Sequence, residues 1–256
     1  MDRLPDIAAK TMTKDCPTHG AFESRNIIRN VWTRCPQCEA IRQETQEREE
    51  AEARRRQAEA RRAKLLGRAA IPERFIGRTF ETFIADSEAK RAASTVVRDY
   101  SENFDERSRK GMGLILSGKP GTGKSHLAAA VLQDHIDKDV LYATCLDLIR
   151  MVRETWRKDS ERSERQVLQF LGNLDLLVID EMGVQYGTDG EQTVMFDILD
   201  ARYRNMKPTI FLTNQDAEGL KAYLGERTFD RLRETCKLVA FEWESYRPTA
   251  RKEIGA

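Results

Sequence analysis

The sequence predicts an α/β protein with a parallel β-sheet, preceded by a small metal-binding module and a charged helix. Three observations support this fold class. From Gly67 onward, apolar strand-like segments alternate with helical patterns, which is typical of parallel sheets. Residues 118–125 have the pattern of a phosphate-binding loop, and three of the five cysteines lie within the first 38 residues. We therefore divide the chain into a zinc-binding module (1–38), a charged helical linker (39–66) and an ATPase domain (67–256).

The composition excludes several classes of protein. The 256 residues carry 43 Lys and Arg against 42 Asp and Glu, which gives a net charge of +1. No apolar run approaches the roughly 20 residues that a membrane span needs, and residues 1–20 lack the apolar stretch of a secretion signal. We expect a cytoplasmic protein that has no membrane partner. Near-neutral charge excludes a histone-like polycation, whereas a nucleic-acid site stays open because it needs only a local patch.

The amino-terminal module contains four potential zinc ligands. They form the pattern C-x2-H … C-x2-C, with fifteen residues between the pairs, and are Cys16, His19, Cys35 and Cys38. In a chain without an export signal, this spacing favours a tetrahedral Zn²⁺ site over disulfides. Each pair can bend into a metal-binding knuckle. Gly20, directly after the first pair, favours this bend, whereas Glu39, directly after the second pair, favours it less. A module this short buries little core, so bound zinc would explain how it folds.

The next segment consists almost entirely of helix-forming residues. Residues 40–66 contain six Glu, eight Arg or Lys, and neither Gly nor Pro. Three Glu–Arg pairs lie four residues apart with Glu first, namely Glu44 and Arg48, Glu50 and Arg54, and Glu52 and Arg56. Each such pair stabilises a helix by about 0.2–0.5 kcal/mol. Apolar positions are too few for a coiled coil. We interpret this segment as a solvated linker, and a helix that binds nucleic acid or a partner is the alternative.

Five apolar segments predict the strands of the sheet. They are Gly113–Ser117, Val140–Cys145, Asp175–Asp180, Thr209–Asn214 and Lys237–Trp243. Helical patterns at Lys124–Ile136 and Gly190–Met206 place apolar side chains on one face of each helix. Cys145 and Cys236 lie in or beside predicted strands, and we expect both in the core. The alternation implies βαβ units with parallel strands.

A phosphate-binding loop lies between the first of these strands and the first helix. Its residues are Gly118, Lys119, Pro120, Gly121, Thr122, Gly123, Lys124 and Ser125, and His126 follows them. The glycines let backbone N–H groups turn toward phosphate oxygens, and the helix N-terminus adds partial positive charge. Lys124 would reach the β- and γ-phosphates of ATP, and the Ser125 hydroxyl would bind Mg²⁺. We include His126 among the residues at the nucleotide.

Polar residues end two further strands. Asp180 ends one strand, where its carboxylate would hold Mg²⁺ through water, and the adjacent Glu181 would polarise the attacking water. Asn214 ends the next strand and could orient that water. Ligand sites lie beyond the carboxyl ends of parallel strands, so we expect all three side chains near the loop. The sequence therefore predicts a site that binds and hydrolyses ATP.

Five motifs resemble AAA+ ATPases, and more narrowly the bacterial DnaC/DnaI-type replicative helicase loaders. They are Ile71–Phe75 with Phe80 and Phe83, the phosphate-loop segment 117–130, the acidic strand 176–185, and the segments 224–233 and 243–247. The last two are the specific ones, because a phosphate-binding loop alone fits many NTPases. The resemblance implies an AAA+ parallel sheet with flanking helices, an arginine finger at Arg231 and a sensor-two arginine at Arg247. Arg227 is a nearby alternative for the finger.

The resemblance also implies partners. Members of the family form homo-oligomers on single-stranded DNA, with ATP sites shared between subunits, and deliver a hexameric replicative helicase. An additional helix that helps to hold DNA in the family matches residues 146–158, where Trp156 stands beside Arg157 and Lys158. An aromatic ring flanked by cations suits single strands, although Trp156 could instead pack in the core. Thr188 in the loop 183–191 is a second candidate for DNA contact.

Two alternative functions remain open at this point. An IstB-type transposition helper is closely related to the loaders, would share every residue of the ATP site and would differ only in its partner. A DNA-binding adaptor that uses ATP as a conformational switch would hydrolyse little of it. Glu181 argues against the adaptor, because a switch needs no carboxylate to polarise water. Zinc-bearing amino-terminal modules also occur among DnaI-type loaders, which is consistent with the predicted architecture.

Overall fold

The chain divides into two units, one ending at Arg61 and the other beginning at Arg62, and each is described separately. The computed structural model describes residues 10–28, 31–183 and 189–247. Within those ranges, no helix is both long enough and apolar enough to span a bilayer. The finer division at residues 38 and 66 stays a prediction.

The first unit begins with a three-stranded antiparallel sheet that the sequence analysis did not predict. In spatial order its strands are β1 (Thr11–Cys16), β2 (Gly20–Ile28) and β3 (Val31–Trp32). Gly20 has a φ of +74°, so the chain reverses direction directly after His19. Ser24 is buried in the middle of β2, and its hydroxyl donates a 2.8 Å hydrogen bond to the Thr33 carbonyl. That bond fixes the chain that leads from the sheet toward the second cysteine pair.

One long helix, α1 (Pro36–Arg68), contains the entire predicted linker, and none of its residues is buried. Among the described residues, the ion pairs within this helix are Arg48–Glu52 at 3.2 Å and Arg55–Glu59 at 2.9 Å. The three predicted Glu–Arg pairs are therefore wrong, although the predicted helix is present. On an exposed helix, each long charged side chain has several possible ion-pair partners of nearly equal free energy. One exposed pair contributes at most about 1 kcal/mol, so the sequence does not determine which pairs form.

The second unit is built on a five-stranded parallel sheet. Its strands are β4 (Gly113–Gly118), β5 (Val140–Thr144), β6 (Leu176–Met182), β7 (Thr209–Thr213) and β8 (Cys236–Phe241), in the spatial order β5-β6-β7-β4-β8. Every neighbouring pair is parallel. All five predicted strands are present, with ends that differ by one or two residues.

Helices cover both faces of this sheet. They are α2 (Glu88–Glu102), α3 (Phe104–Arg109), α4 (Lys124–Asp134), α5 (Cys145–Glu154), α6 (Glu164–Asn173), α7 (Asp189–Arg204), α8 (Ala217–Leu224) and α9 (Glu226–Thr235), with a short 3₁₀ turn at Glu73–Phe75. Leu114 and Leu116 of β4 face the core that contains α2 and α4, whereas Ile115 faces the core that contains α5 to α9. The sheet therefore separates two apolar cores.

Helix α4 differs from the prediction in its burial. The sequence pattern predicts one apolar face, but Leu127 to Leu132 are all buried. The reason is that α4 lies between the sheet and an outer layer formed by α2 and the aromatic segment 75–83. The loop that leads into α4 is consequently held by packing on both sides. The carboxyl ends of β4, β6 and β7 are neighbours beside it, which brings the predicted site residues together.

Candidate functional site

The loop between β4 and α4 has the backbone shape that a phosphate-binding loop requires. Gly121 and Gly123 have φ values of +79° and +98°, which side chains rarely tolerate. A β-carbon on Gly121 would lie 2.1 Å from the Ser245 hydroxyl oxygen, and one on Gly123 would lie 2.6 Å from the ring of Phe83. Both glycines are therefore required by backbone conformation and by close packing. The loop curls around the N-terminus of α4, as the sequence predicts.

Lys124 is the first residue of α4 and is buried at the centre of the loop. Its ammonium group donates hydrogen bonds to the carbonyl oxygens of Gly118 (2.5 Å) and Lys119 (2.8 Å) and to Oδ1 of Asn214 (2.9 Å). Burial lowers the pKa of Lys124 to about 8; the Asp180 carboxylate opposes this shift, and the Arg247 cation adds to it. The structure thus brings Lys124 and Asn214 into direct contact.

Asp180 accepts hydrogen bonds at both carboxylate oxygens. Ser125 donates to Oδ2 at 3.1 Å, the Tyr142 hydroxyl donates to the same oxygen, and the Glu181 backbone N–H donates to Oδ1 at 2.7 Å. Burial, followed by the Asp180 charge, raises the pKa of Tyr142, so this phenol stays a donor. Ser125 and Asp180 are adjacent oxygen groups of the kind that Mg²⁺ prefers. Together they could hold that ion beside the loop.

Sequence reasoning missed Tyr142. It lies within the apolar β5, and in the register of the sheet it stands opposite Val178, two residues before Asp180. Side chains two residues apart on a strand point to the same face. The available signal was a polar aromatic residue in the otherwise apolar β5. It lies two residues before Thr144, which pairs with Asp180 in the sheet.

Glu181 follows Asp180 at an irregularity in the sheet. The pairing of β6 with β7 shifts register between Ile179 and Met182, and Glu181 has a φ of +59°. Such left-handed geometry at a non-glycine residue is strained and typically occurs at functional sites. Glu181 is exposed, so its carboxylate is accessible to solvent. The two residues predicted to act on water therefore lie on neighbouring strands, Glu181 near the end of β6 and Asn214 directly after β7.

The segment after β8 packs directly on the phosphate-binding loop. Trp243 donates from Nε1 to the Thr122 carbonyl at 3.0 Å, and the Tyr246 backbone N–H donates to the Gly121 carbonyl at 2.9 Å. A 2.8 Å ion pair joins Lys119 on the loop to Glu244 on this segment. The sequence analysis did not predict these contacts.

Those contacts place Arg247 beside the loop. Its side chain lines the same cavity as Lys124, Asp180 and Glu181, and its positive charge contributes to the lowered pKa of Lys124. The predicted sensor-two arginine thus lies at the nucleotide site of its own chain.

The cavity at this site has a volume of about 330 Å³ and has a polar and an apolar part. Phe75, Phe83 and Ile84 supply apolar surface beside the loop. His126 packs edge-on against Phe83, with ring centroids 5.5 Å apart, and its Nε2 lies 2.8 Å from the Thr79 carbonyl. His126 therefore holds the apolar wall in place. A pocket of this size and mixed character is typical of small-molecule sites.

Arg231 lies away from this cavity, on α9. Its guanidinium forms an ion pair with Asp200 of α7 and stacks over the Tyr203 ring at 4.8 Å. The nearby Arg227 is exposed and stacks over Phe196 at 5.6 Å. Neither arginine lines the cavity that contains Lys124. A contact with ATP from this position would have to involve another subunit.

The four predicted zinc ligands converge in the first unit. The ligand atoms of Cys16, His19, Cys35 and Cys38 all lie within 4.8 Å of one another. The Cys16 and Cys38 sulfurs are 3.5 Å apart, and His19 Nδ1 is 3.2 Å from the Cys38 sulfur. Sulfur and nitrogen atoms that are each about 2.0–2.3 Å from a tetrahedral zinc ion have such separations. The set therefore fits zinc.

The second cysteine pair does not form the predicted knuckle. Cys35 precedes α1, Cys38 lies in its first turn, and Pro36 occupies the first helical position. Glu39 consequently needs no special backbone conformation, because its N–H bonds the Cys35 carbonyl at 2.9 Å. In the first pair, the Thr18 backbone N–H is the largest of several groups that lower the pKa of the Cys16 thiol to about 6. The adjacent Cys16 sulfur in turn raises the pKa of the Cys38 thiol to about 11, so of these two thiols only Cys16 is favoured as a thiolate in the metal-free chain.

The residues predicted to contact DNA lie after α5. Trp156 is 58% exposed, so it is not a core residue, and its Nε1 donates a 2.5 Å hydrogen bond to Glu164. Arg157 and Lys158 are also exposed, and Arg157 lies 3.4 Å from Asp159. Thr188 lies outside the described residues. Of the two cysteines expected in the core, Cys145 is buried and Cys236 is partly exposed.

In the sheet order, β7 lies between β4, which leads into the phosphate-binding loop, and β6, which carries the acidic pair. This order, the loop and the acidic pair define a P-loop NTPase of the AAA+ class. Comparisons with known proteins agree. The profile of the family described as "IstB-like ATP binding protein" matches residues 41–254. The solved structure "Crystal structure of the DnaC helicase loader" superimposes with a TM-score of 0.59 at 25% identity, covering 66% of this chain and 99% of that one.

Several curated relatives carry the name "Replicative helicase loader DnaC". The Escherichia coli (strain K12) protein is 41% identical over 172 residues, which cover 66% of this chain and 69% of the relative. The Buchnera aphidicola subsp. Baizongia pistaciae (strain Bp) protein is 36% identical over 187 residues, covering 72% and 75%. The chain therefore belongs to the IstB-like ATP-binding family and is a homologue of the proteins named replicative helicase loader DnaC. The predicted resemblance and the predicted AAA+ fold are confirmed.

Proposed function

We propose that this protein is an ATPase that loads a hexameric replicative helicase onto single-stranded DNA. The observation that carries the proposal is the cluster formed by Lys124 and Ser125 at the start of α4, Asp180 near the end of β6 and Asn214 after β7, with Glu181 exposed beside them. The names of the homologues supply the class of partner. We place the protein in the cytoplasm, where the replicative helicase acts.

Each residue at the loop has a separate role in ATP binding or hydrolysis. Lys124 exchanges its bonds to the loop carbonyls for bonds to the β- and γ-phosphates. Ser125 and Asp180 would hold Mg²⁺, which neutralises phosphate charge when bound. Glu181 polarises the attacking water, and Asn214 orients it. The loop N–H groups of residues 118–125 bind phosphate oxygens.

Two arginines complete the site in different ways. Arg247 acts within its own chain, because it lines the same cavity as Lys124. Arg231 acts on the ATP of a neighbouring subunit, which makes a homo-oligomer the active form. An arginine supplied between chains stabilises the charge that develops during phosphoryl transfer.

The remaining predicted sites bind zinc and DNA. Cys16, His19, Cys35 and Cys38 hold a structural zinc ion that folds the amino-terminal module. Trp156 offers its exposed ring to an unpaired base, and Arg157 and Lys158 attract the phosphates. We also propose that Thr188 contacts the DNA.

The test combines the protein with the replicative hexameric helicase of the same cell. We expect a complex in a pull-down, and helicase activity on circular single-stranded DNA that rises when the protein and ATP are both present. The Lys124→Ala protein should keep the zinc module but lose ATP binding. Absence of helicase binding, together with capture of a transposase encoded beside the gene, would favour the IstB-type helper. Helicase loading without ATP turnover would favour the adaptor.

A further inference from the structure

Helix α1 separates its charges into two halves. Residues 36–52 contain six Glu and two Arg, whereas residues 53–68 contain six Arg, one Lys and one Glu. Helix stability does not explain this separation, because stabilising ion pairs require opposite charges three or four residues apart. Consecutive arginines, as at residues 54–56, repel one another. The basic half therefore carries positive charge that the helix itself does not neutralise.

The structure leaves several of these cations without an ion-pair partner. Arg55 pairs with Glu59, and Arg68 pairs with Asp139 at 2.8 Å. Arg54, Arg56, Arg61, Arg62 and Lys64 have no ion pair within the described part of the chain, and all five are exposed. Because no residue of α1 is buried, these side chains are fully available to an external anion.

Three of the free cations lie along one side of the helix. Arg54 and Arg61 are seven residues apart, which corresponds to about 10 Å along the axis and about 20° around it. Lys64 follows within about 80° of Arg54, so the three span about 15 Å. We call Arg54, Arg61 and Lys64 the basic stripe. A linear array of cations at this spacing fits a linear polyanion better than it fits a single phosphate group.

We propose that the basic stripe binds the sugar-phosphate backbone of single-stranded DNA. Neutralising phosphates releases condensed counterions, so a few cations are enough for substantial affinity at low salt. The stripe carries no aromatic side chain on which bases could stack, so binding depends on charge and is indifferent to sequence. The acidic half of α1 repels the strand and confines it to residues beyond about 53.

A second copy of the chain is the competing occupant, with its acidic half against this basic half. The structure favours DNA over that pairing. The helix has no apolar seam, and each exposed ion pair between two helices would contribute at most about 1 kcal/mol. A polyanion does not need buried apolar area. The proposal extends the DNA-binding part of the proposed function and is independent of ATP turnover.

The test compares two charge-matched variants of the full-length, zinc-containing protein. Arg54→Gln/Arg61→Gln alters the stripe, and Arg42→Gln/Arg48→Gln removes the same charge from the acidic half. Fluorescence anisotropy with labelled oligothymidylate, from about 50 to 200 mM salt, gives the slope of log affinity against log salt. The stripe variant should lose about 1.4 from this slope, because each contact to a single strand contributes about 0.7. That loss corresponds to about 25-fold weaker binding at 0.1 M salt when the affinity extrapolated to 1 M is unchanged.

Each other outcome overturns the proposal. Equal loss in both variants means that only net charge matters, and an unchanged slope in the stripe variant means that DNA binds elsewhere. A change in sedimentation without a change in DNA affinity identifies the second copy as the occupant. Circular dichroism verifies that both variants keep the helix. If the unmodified protein binds no oligothymidylate, the stripe proposal and the DNA-binding part of the proposed function both fail. If the unmodified protein binds it and the stripe variant binds with the same affinity and slope, only the stripe proposal fails.

Discussion

Arg231 and Asp200 form an ion pair that ties α9 to α7, and the Arg231 guanidinium lies over the Tyr203 ring. The arginine proposed to act on a neighbour's ATP is thus neutralised within its own chain. To reach a γ-phosphate it must exchange a carboxylate for a more highly charged anion, which assembly of the neighbouring subunit would supply.

ATP hydrolysis should depend on residues from two neighbouring chains. Arg231→Ala and Lys124→Ala should each be inactive as ATPases, because a trans arginine contributes about 10³–10⁵ in rate and the loop lysine is needed for binding. Mixed together, they should recover part of the activity, since some interfaces combine an intact Arg231 with an intact loop. Steady-state phosphate release measures the recovery.

Arg227→Ala is the matched control for that mixture, because it removes a neighbouring cation of the same helix. If the mixture stays inactive although both proteins assemble on DNA, Arg231 is not the trans residue. If ATPase activity recovers only in the mixture of Arg227→Ala with Lys124→Ala, Arg227 is the residue that acts on the neighbour's ATP.

Glu181→Gln should keep nucleotide binding and lose turnover. The substitution removes the carboxylate that polarises water but leaves the loop and Lys124 intact, and general-base groups typically contribute 10²–10⁴ in rate. Binding of a fluorescent ATP analogue and phosphate release measure the two properties separately. Glu218→Gln, an exposed glutamate on α8, is the control that should retain turnover. Normal turnover in the Glu181→Gln protein contradicts the catalytic assignment.

Nucleotide affinity should fall as pH rises above about 8. Burial lowers the pKa of Lys124 to about 8 in the free protein, so its positive charge is lost as pH rises through that value. Bound phosphates favour the charged form and raise the pKa again, so binding above pH 8 takes up a proton. Calorimetry in two buffers of different ionisation enthalpy measures this uptake, which should be small near pH 7 and approach one proton at higher pH.

Lys124→Arg provides the comparison, because an arginine keeps its charge over the whole range. Residual binding in that variant should be independent of pH. A flat affinity profile for the unmodified protein between about pH 7 and 9.5 would contradict the lowered pKa of the free lysine.

Cys35→Ser should lose the zinc ion and unfold the amino-terminal sheet. Metal-binding free energy at a site of this kind is also folding free energy, so removing one of four ligands destabilises the whole module. Elemental analysis should find one zinc per chain before the substitution and little after it, and limited proteolysis should then cleave within β1 or β2. Cys236→Ser, outside the ligand set, should retain the metal. An ordered amino-terminal sheet in a zinc-free preparation would refute the structural role.

Trp156→Ala should weaken single-stranded DNA binding by about 1–3 kcal/mol, the usual effect of losing one stacking platform. ATP binding should not change, because Trp156 does not line the nucleotide cavity. Phe170→Ala is a suitable control, since Phe170 is another exposed aromatic residue but has no flanking cations. Equal effects of the two substitutions on DNA affinity would remove Trp156 from the proposed DNA site.

Local sequence signals account for most of what was predicted correctly. The strands of the parallel sheet, the loop around Lys124 and the acidic pair at Asp180 each depend on residues that are close in sequence. The Tyr142 bond to Asp180 and the Trp243 bond to Thr122 join residues 38 and 121 positions apart, respectively, and no periodic pattern encodes them. The amino-terminal sheet was missed because its strands are mostly exposed, so they lack the apolar alternation that identifies a half-buried strand.

The contacts of Trp243 and Tyr246 with the phosphate-binding loop connect the segment after β8 to the nucleotide cavity. Coupling of this kind is reciprocal: a ligand that changes the affinity of the loop for nucleotide has its own affinity changed by the same factor. A partner that binds the chain just after β8 would therefore alter the affinity of the loop for nucleotide without contacting the nucleotide. Conversely, the bound nucleotide would change the affinity of this segment for a partner. A partner that binds here would therefore distinguish one nucleotide state from another.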